Sequence, residues 1–209
     1  MPHALDEVFR KAQVIPVVRT RSAKSAAMAV AWLREAGLSI FEVTMTVPDA
    51  TALIRDLASD SSLLIGAGTV PDAAMAESCL KAGAKFIVAP WIDRSLSASC
   101  RTAGAALMLG AMTPTEVRSA LAAGADMVKI FPASSIGGPG HIKALASVFP
   151  GVAFCPTGGV DPANFRTYLD AGAAFVGMGG ALVDERRIEA GDKRAIQAAA
   201  EAVLGITRA

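Results

Sequence analysis

Ala125-Asp126-Met127-Val128-Lys129-Ile130-Phe131-Pro132 is an apolar stretch with one lysine near its centre. A strand buried on both faces of a parallel sheet reads as a near-continuous run of β-branched and large apolar residues. Alternation along such a strand places Met127, Lys129 and Phe131 on one face and Val128 and Ile130 on the other, so the amine has low-dielectric neighbours. Desolvation disfavours the ammonium relative to the neutral amine, and the neutral amine is the nucleophile of lysine-based covalent catalysis. The competing reading is a strand-end lysine whose stem is buried while its head snorkels to water.

The residues before this strand, Ala122-Ala123-Gly124, end a helical pattern, and the arrangement recurs. Glu35-Ala36-Gly37 precedes the apolar run 38–43, Lys81-Ala82-Gly83 the run 84–88, Thr102-Ala103-Gly104 the run 105–109, and Asp170-Ala171-Gly172 the run 173–177. Glycine just past a helical pattern is the left-handed residue that terminates helices, so five helices each hand over to a strand. Pro48, Pro71, Pro114 and Pro162 follow strand patterns, open Ala/Leu-rich segments and read as first-turn prolines. Thr113-Pro114-Thr115-Glu116 has capping-box spacing.

The pattern predicts a leading helix near 4–12, then strands near 14–18, 39–45, 62–67, 85–89, 105–110, 125–130, 152–156 and 173–178. Seven helical segments fill the intervals, and an eighth, near 192–204, follows the last strand. Eight strand–helix units in 209 residues predict an α/β (β/α)8 TIM barrel with right-handed crossovers. A doubly wound sheet competes, but it usually has fewer strands and a switch point. The leading helix lies outside the repeat and is expected to plug the barrel's N-terminal mouth. Residues 1–209 read as a single barrel domain with no linker.

Apolar residues make up 53% and charged residues 19%, yet no apolar run approaches the ~18 residues of a membrane span. Twenty Lys and Arg against 19 Asp and Glu leave a net charge of +1, without the basic excess of a nucleic-acid binder. Cys79, Cys100 and Cys155 are far apart and odd in number, with no nearby His, so the spacing suits neither a disulfide framework nor a metal site. Met1-Pro2-His3-Ala4 leads into a charged amphipathic segment without a signal pattern, and the expected compartment is the cytoplasm.

In this fold chemistry sits at the C-terminal ends of the strands. The second strand places Ile40, Glu42, Thr44 and Thr46 on one face, and Glu42 and Lys129 are the ionisable residues within the apolar bodies of the strands. Lys85 and Asp126 fall at strand beginnings, on the opposite mouth. A carboxylate and an amine inside one barrel are either a structural ion pair or an acid/base and nucleophile pair. Buried pairs seldom gain over apolar packing, which favours chemistry. Thr157-Gly158-Gly159-Val160-Asp161-Pro162 ends the seventh strand and Gly177-Met178-Gly179-Gly180-Ala181 the eighth. Glycines there either permit the turns or let backbone N–H groups approach a phosphate. Gly66-Ala67-Gly68-Thr69 closes the third strand and Ala89-Pro90-Trp91 the fourth, the latter as apolar wall. Arg19 closes the first, where it is a carboxylate partner or a solvated loop residue. His3 and His141 fall at a tail and a helix start, poor places for acid/base work.

Taken together, Phe41-Glu42-Val43-Thr44, Gly66-Ala67-Gly68-Thr69-Val70, Lys129-Ile130-Phe131-Pro132-Ala133 and Pro156-Thr157-Gly158-Gly159-Val160 resemble the class I 2-keto-3-deoxy-6-phosphogluconate (KDPG, Entner-Doudoroff) aldolases. The resemblance extends to their 6-phosphogalactonate and 4-hydroxy-2-oxoglutarate (KHG) relatives and covers nearly the whole chain in order. It implies Lys129 as the Schiff-base lysine and Glu42 as general acid/base. Thr69, Phe131 and Pro90 would belong to the pyruvate pocket, and Gly158, Gly159, Gly179 and Gly180 to a phosphate cradle. It also implies a homotrimer, no metal and no cofactor. The chain departs from the pattern at Thr46, which stands in the substrate pocket where many phosphogluconate aldolases carry a carboxylate-binding arginine, and at Gly180, which replaces a serine. Arg19 resembles an arginine of the phosphogalactonate relatives. The implied reaction is cleavage of KDPG to pyruvate and glyceraldehyde 3-phosphate. The galactonate epimer and 4-hydroxy-2-oxoglutarate are alternative substrates. Outside this chemistry stand a non-catalytic phosphosugar-binding barrel and an isomerase, the latter needing a second acid/base or metal site that the sequence does not display.

Overall fold

The computed structural model describes residues 3–207. Its elements are α1 (Ala4–Ala12), β1 (Val14–Val18), α2 (Ala23–Glu35), β2 (Ile40–Thr44), α3 (Ala50–Ala58), β3 (Leu64–Gly68), α4 (Ala73–Lys81), β4 (Phe86–Ala89), α5 (Leu96–Ala103), β5 (Ala106–Ala111), α6 (Pro114–Ala122), β6 (Met127–Ile130), α7 (Gly138–Val148), β7 (Phe154–Pro156), α8 (Phe165–Asp170), β8 (Val176–Met178), α9 (Glu185–Glu189) and α10 (Lys193–Thr207). Neighbouring strands pair in parallel in the order β7-β6-β5-β4-β3-β2-β1-β8. The circle closes between β7 and β8 through the single bridge Thr157–Gly177 and a bond from Ala174 N–H to the Phe154 carbonyl, 2.9 Å. This is the (β/α)8 barrel that the repeat predicts, with α1 as the extra leading helix.

The Ala-Gly helix ends close alike. Leu38 N–H donates to the Leu33 carbonyl (3.1 Å) and Gly37 N–H to that of Arg34 (2.8 Å), the two bonds of a Schellman turn. Gly83, Gly104, Gly124 and Gly172 repeat the pattern, and the five glycines have φ from 63° to 109°. The capping box of α6 forms as expected: Thr113 Oγ1 accepts from Glu116 N–H, and Glu116 Oε2 accepts from Thr113 N–H.

Three prolines are corrected. Pro114 is the first residue of α6, whereas Pro48 and Pro71 precede the N-cap residues Asp49 and Asp72, and Pro162 lies three residues ahead of α8. At α4 the cap position is taken by a side chain that can accept, Asp72 Oδ1 from Met75 N–H at 2.8 Å, and the proline is displaced outward. One helix was not anticipated. Asp184 caps the five-residue α9, which is too short to show helical periodicity, so α9 and α10 share the stretch after β8 where a single helix is expected.

Two apolar clusters result. The larger packs the helices on the outside of the sheet, and it holds Cys79 and Cys100. Burial pushes these thiols up, to about 11 and about 12. The smaller fills the barrel interior with Ile15, Ile40, Phe86, Met108, Met127 and Phe175, capped by Phe9 from α1. The Phe9 ring meets Phe86 edge-on and lies tilted against Phe175, each at 5.1 Å between centroids, so α1 closes the N-terminal mouth. No helix among the described residues is long and apolar enough to cross a membrane.

Two stability outcomes follow. Phe9→Ala removes a fully buried ring and should lower unfolding free energy by about 3–5 kcal/mol in urea titration. Thr113→Ala should cost about 1 kcal/mol at neutral pH. The Met112 N–H, with the Thr113 hydroxyl and N–H, holds the Glu116 carboxyl below its ordinary 4.5. A depressed carboxyl adds stability above its unfolded value and loses it as pH falls. The deficit of Thr113→Ala should therefore be full above pH 4.5 and shrink below it.

Candidate active site

β6 and β2 lie far apart round the barrel and 87 residues apart in sequence, yet Lys129 Nζ donates to Glu42 Oε1 at 3.2 Å. Both side chains are buried, at 4% and 5% exposure, so the two meet inside the barrel as an ion pair screened from bulk water. Lys129 is flanked in register by Gly110 on β5 and Cys155 on β7. Burial pushes the Cys155 thiol up to about 12, which leaves a neutral group beside the amine. The Phe131 ring centroid lies 5.9 Å from Nζ.

Above the pair a cavity of about 630 Å³ opens at the C-terminal ends of the strands, within the usual size of a small-molecule site. Nine residues singled out from the sequence line it: Lys129, Arg19, Thr69, Pro90, Phe131, Gly158, Gly159, Gly179 and Gly180. Glu42 reaches it through Lys129 rather than as part of its wall. Arg19 Nη2 donates to Thr69 Oγ1 at 3.0 Å, which ties the ends of β1 and β3 together across the rim. Thr69 holds φ 56°, a left-handed conformation that a β-branched residue rarely adopts.

The loops after β6 and β7 are fastened to each other. Ala133 N–H donates to the Thr157 carbonyl (2.8 Å) and Ser134 N–H to that of Gly158 (3.1 Å), while Asn164 Nδ2 donates to the Gly159 carbonyl at 2.9 Å. Gly158 and Gly159 have φ 91° and 75°, and a Cβ on Gly159 would strike the Ser134 hydroxyl. Here glycine is required by both conformation and space. Among the described residues, the N–H groups of Gly159, Gly179 and Gly180 have no protein acceptor, so an anion in the cavity can take them.

Thr46 does not join this wall. A turn closed by Val47 N–H on the Thr44 carbonyl (3.0 Å) begins where β2 ends and breaks the alternation, leaving Thr46 exposed with its hydroxyl on that of Thr44 at 2.7 Å. Conversely, Val17, Thr157, Val160, Asp161, Ala181 and Val183 line the cavity without having been singled out. Strand alternation carries the signal for Val17, two before Arg19, and for Thr157, two after Cys155. The other four lie on loops, where no period applies. No group of three or more His, Cys, Asp or Glu side chains is placed to hold a metal ion among the described residues.

The chain is 33% identical over 201 residues to the 2-dehydro-3-deoxy-phosphogluconate aldolase of Pseudoalteromonas atlantica, spanning 95% of this chain and 94% of that one. It is 34% identical over 199 residues to the probable 2-dehydro-3-deoxy-6-phosphogalactonate aldolase of Rhizobium meliloti, covering 92% and 93%. Among solved structures it superposes with a TM-score of 0.86 and 32% identity, over 95% of this chain and 97% of the other, on the KDPG aldolase of Legionella pneumophila with pyruvate captured as a covalent carbinolamine intermediate. The family model for KDPG and KHG aldolase matches residues 5–199, and with the barrel and its paired lysine and glutamate in place the chain belongs to that aldolase family.

Proposed function

We propose that this protein is a class I aldolase that cleaves KDPG to pyruvate and glyceraldehyde 3-phosphate, with Lys129 and Glu42 as its catalytic residues. The observation that carries the reading is the 3.2 Å contact between Lys129 Nζ and Glu42 Oε1 beneath the cavity. Proton transfer from the ammonium to the carboxylate yields the neutral amine, which attacks the C2 ketone. As the amine adds, one of its protons passes to the former ketone oxygen to give the carbinolamine; Glu42 then returns its own proton to that hydroxyl, water leaves, and the iminium forms. The carboxylate, directly or through a water, takes the C4 hydroxyl proton as the C3–C4 bond breaks, and the electron pair passes into an enamine. Protonation at C3 and hydrolysis of the iminium release pyruvate and restore the amine.

The remaining residues take binding roles in this reading. Thr69, Pro90 and Phe131 surround the pyruvate portion, and Arg19 faces its carboxylate in place of an arginine at Thr46. The N–H groups around Gly158, Gly159, Gly179 and Gly180 receive the phosphate. Arg19 at the rim also favours the galactonate epimer as a second substrate, a reading supported by the similarity to the Rhizobium meliloti protein. From the resemblance we further take the protein to be a cytoplasmic homotrimer of single-domain chains; residues 1–2 and 208–209 lie outside the described part.

Three measurements test the reading. Borohydride with pyruvate should leave a reduced adduct on the Lys129 peptide in mass spectrometry, and an unmodified lysine would reject the Schiff base. A coupled assay of pyruvate release from the two epimeric phosphorylated acids assigns the substrate. Glu42→Gln should lower kcat by about 10²–10⁴-fold, whereas ligand-induced stabilisation without turnover, unchanged in Lys129→Ala, would favour a binding barrel.

A further inference from the structure

β3 turns Gly66 and Gly68 toward the barrel interior, with Ala67 facing outward between them. Neither glycine has a left-handed φ, so the backbone is one that any residue adopts. What glycine supplies at both positions is room. A Cβ built on Gly66 would fall on the Phe86 ring. One built on Gly68 would fall 2.6 Å from both Cγ and Cδ of Glu42 and closer still to Oε1, the oxygen that accepts from Lys129. Atoms at such separations cannot coexist.

We infer that Gly68 is a positioning residue for the reaction: its missing side chain is the seat of the Glu42 carboxylate. The inference rests on the proposed roles of Glu42 and Lys129. β2 cannot retreat to make room, because Thr44 pairs with Gly68 in the ladder and Met45 N–H donates to the Gly68 carbonyl at 2.8 Å. The part free to move is the carboxylate itself, the far end of a flexible side chain. A methyl group at residue 68 therefore drives Oε1 away from Nζ, and the proton relay between them is lost while the rim keeps its shape, Thr69 at the end of β3 being held by Arg19 and the rest of the lining coming from other strands and loops.

The test compares wild type, Gly68→Ala, Glu42→Ala and the double variant by thermal melting, pyruvate release and borohydride trapping with pyruvate. Gly68→Ala should lower kcat by about 10²-fold, the scale of a lost acid/base group, with KM for the phosphorylated acid within about threefold. In the Glu42→Ala background the same substitution should change the residual rate by less than about threefold and leave the melting temperature unchanged, because independent effects add and a shared one does not. Should Gly68→Ala fail to fold, the double variant is expected to fold, since the colliding group is gone. Equal losses in both backgrounds, or a double variant that also fails to fold, would overturn the inference. A wild-type protein that neither releases nor traps pyruvate would instead reject the aldolase reading, and the melting comparison would still decide whether Gly68 seats the carboxylate.

Discussion

The contact between the Lys129 ammonium and the Glu42 carboxylate is the constraint around which this barrel is built. Each charge has left water, and a single buried ion without its partner costs several kcal/mol. The pair is therefore tolerated only where both ends are held to within a hydrogen bond, and the strands that carry them are separated in the ring. Closing the sheet on itself is what brings them together. Apolar residues of similar volume would pack as stably or better, so packing alone does not account for the charges.

The rest of the interior is arranged in relation to that pair. Below it, Phe9, Phe86, Phe175, Met108 and Met127 make a solid floor. Around and above it small residues take over, with Gly66 and Gly68 on β3, Gly110 on β5 and Gly177 on β8. The change from large to small along the barrel axis turns a packed core into a cavity at one end only. The rim is cross-tied by Arg19 to Thr69 and by the bonds between the loops after β6 and β7, an organisation that holds a site in shape before any ligand arrives.

Much of this was legible in the sequence because it obeys short-range rules. The Ala-Gly pairs mark Schellman turns, since the positive φ they demand is a local property. The period of two identifies Lys129 and Glu42 as inward-facing, since both lie within regular strands. Where regularity stops, so does legibility. Thr46, which the resemblance assigns to the pocket and the period of β2 to the face of Glu42, lies past a turn that begins at Thr44 and ends that period. At Pro48, Pro71 and Pro162 the first-turn preference of proline is outweighed by neighbouring residues, as Asp72 shows at α4. Val160, Asp161, Ala181 and Val183 sit on loops whose course depends on distant partners, and the space that Gly68 leaves for Glu42 exists only between two strands.

The ring is unevenly hooped. Elsewhere adjacent strands share ladders of two to five paired residues, but β7 and β8 share the Thr157–Gly177 bridge, directly beneath the two glycine-rich loops. A ligand gripped by both loops, as proposed above, would span that seam as a clasp spans a collar, and its grip would tighten the cylinder.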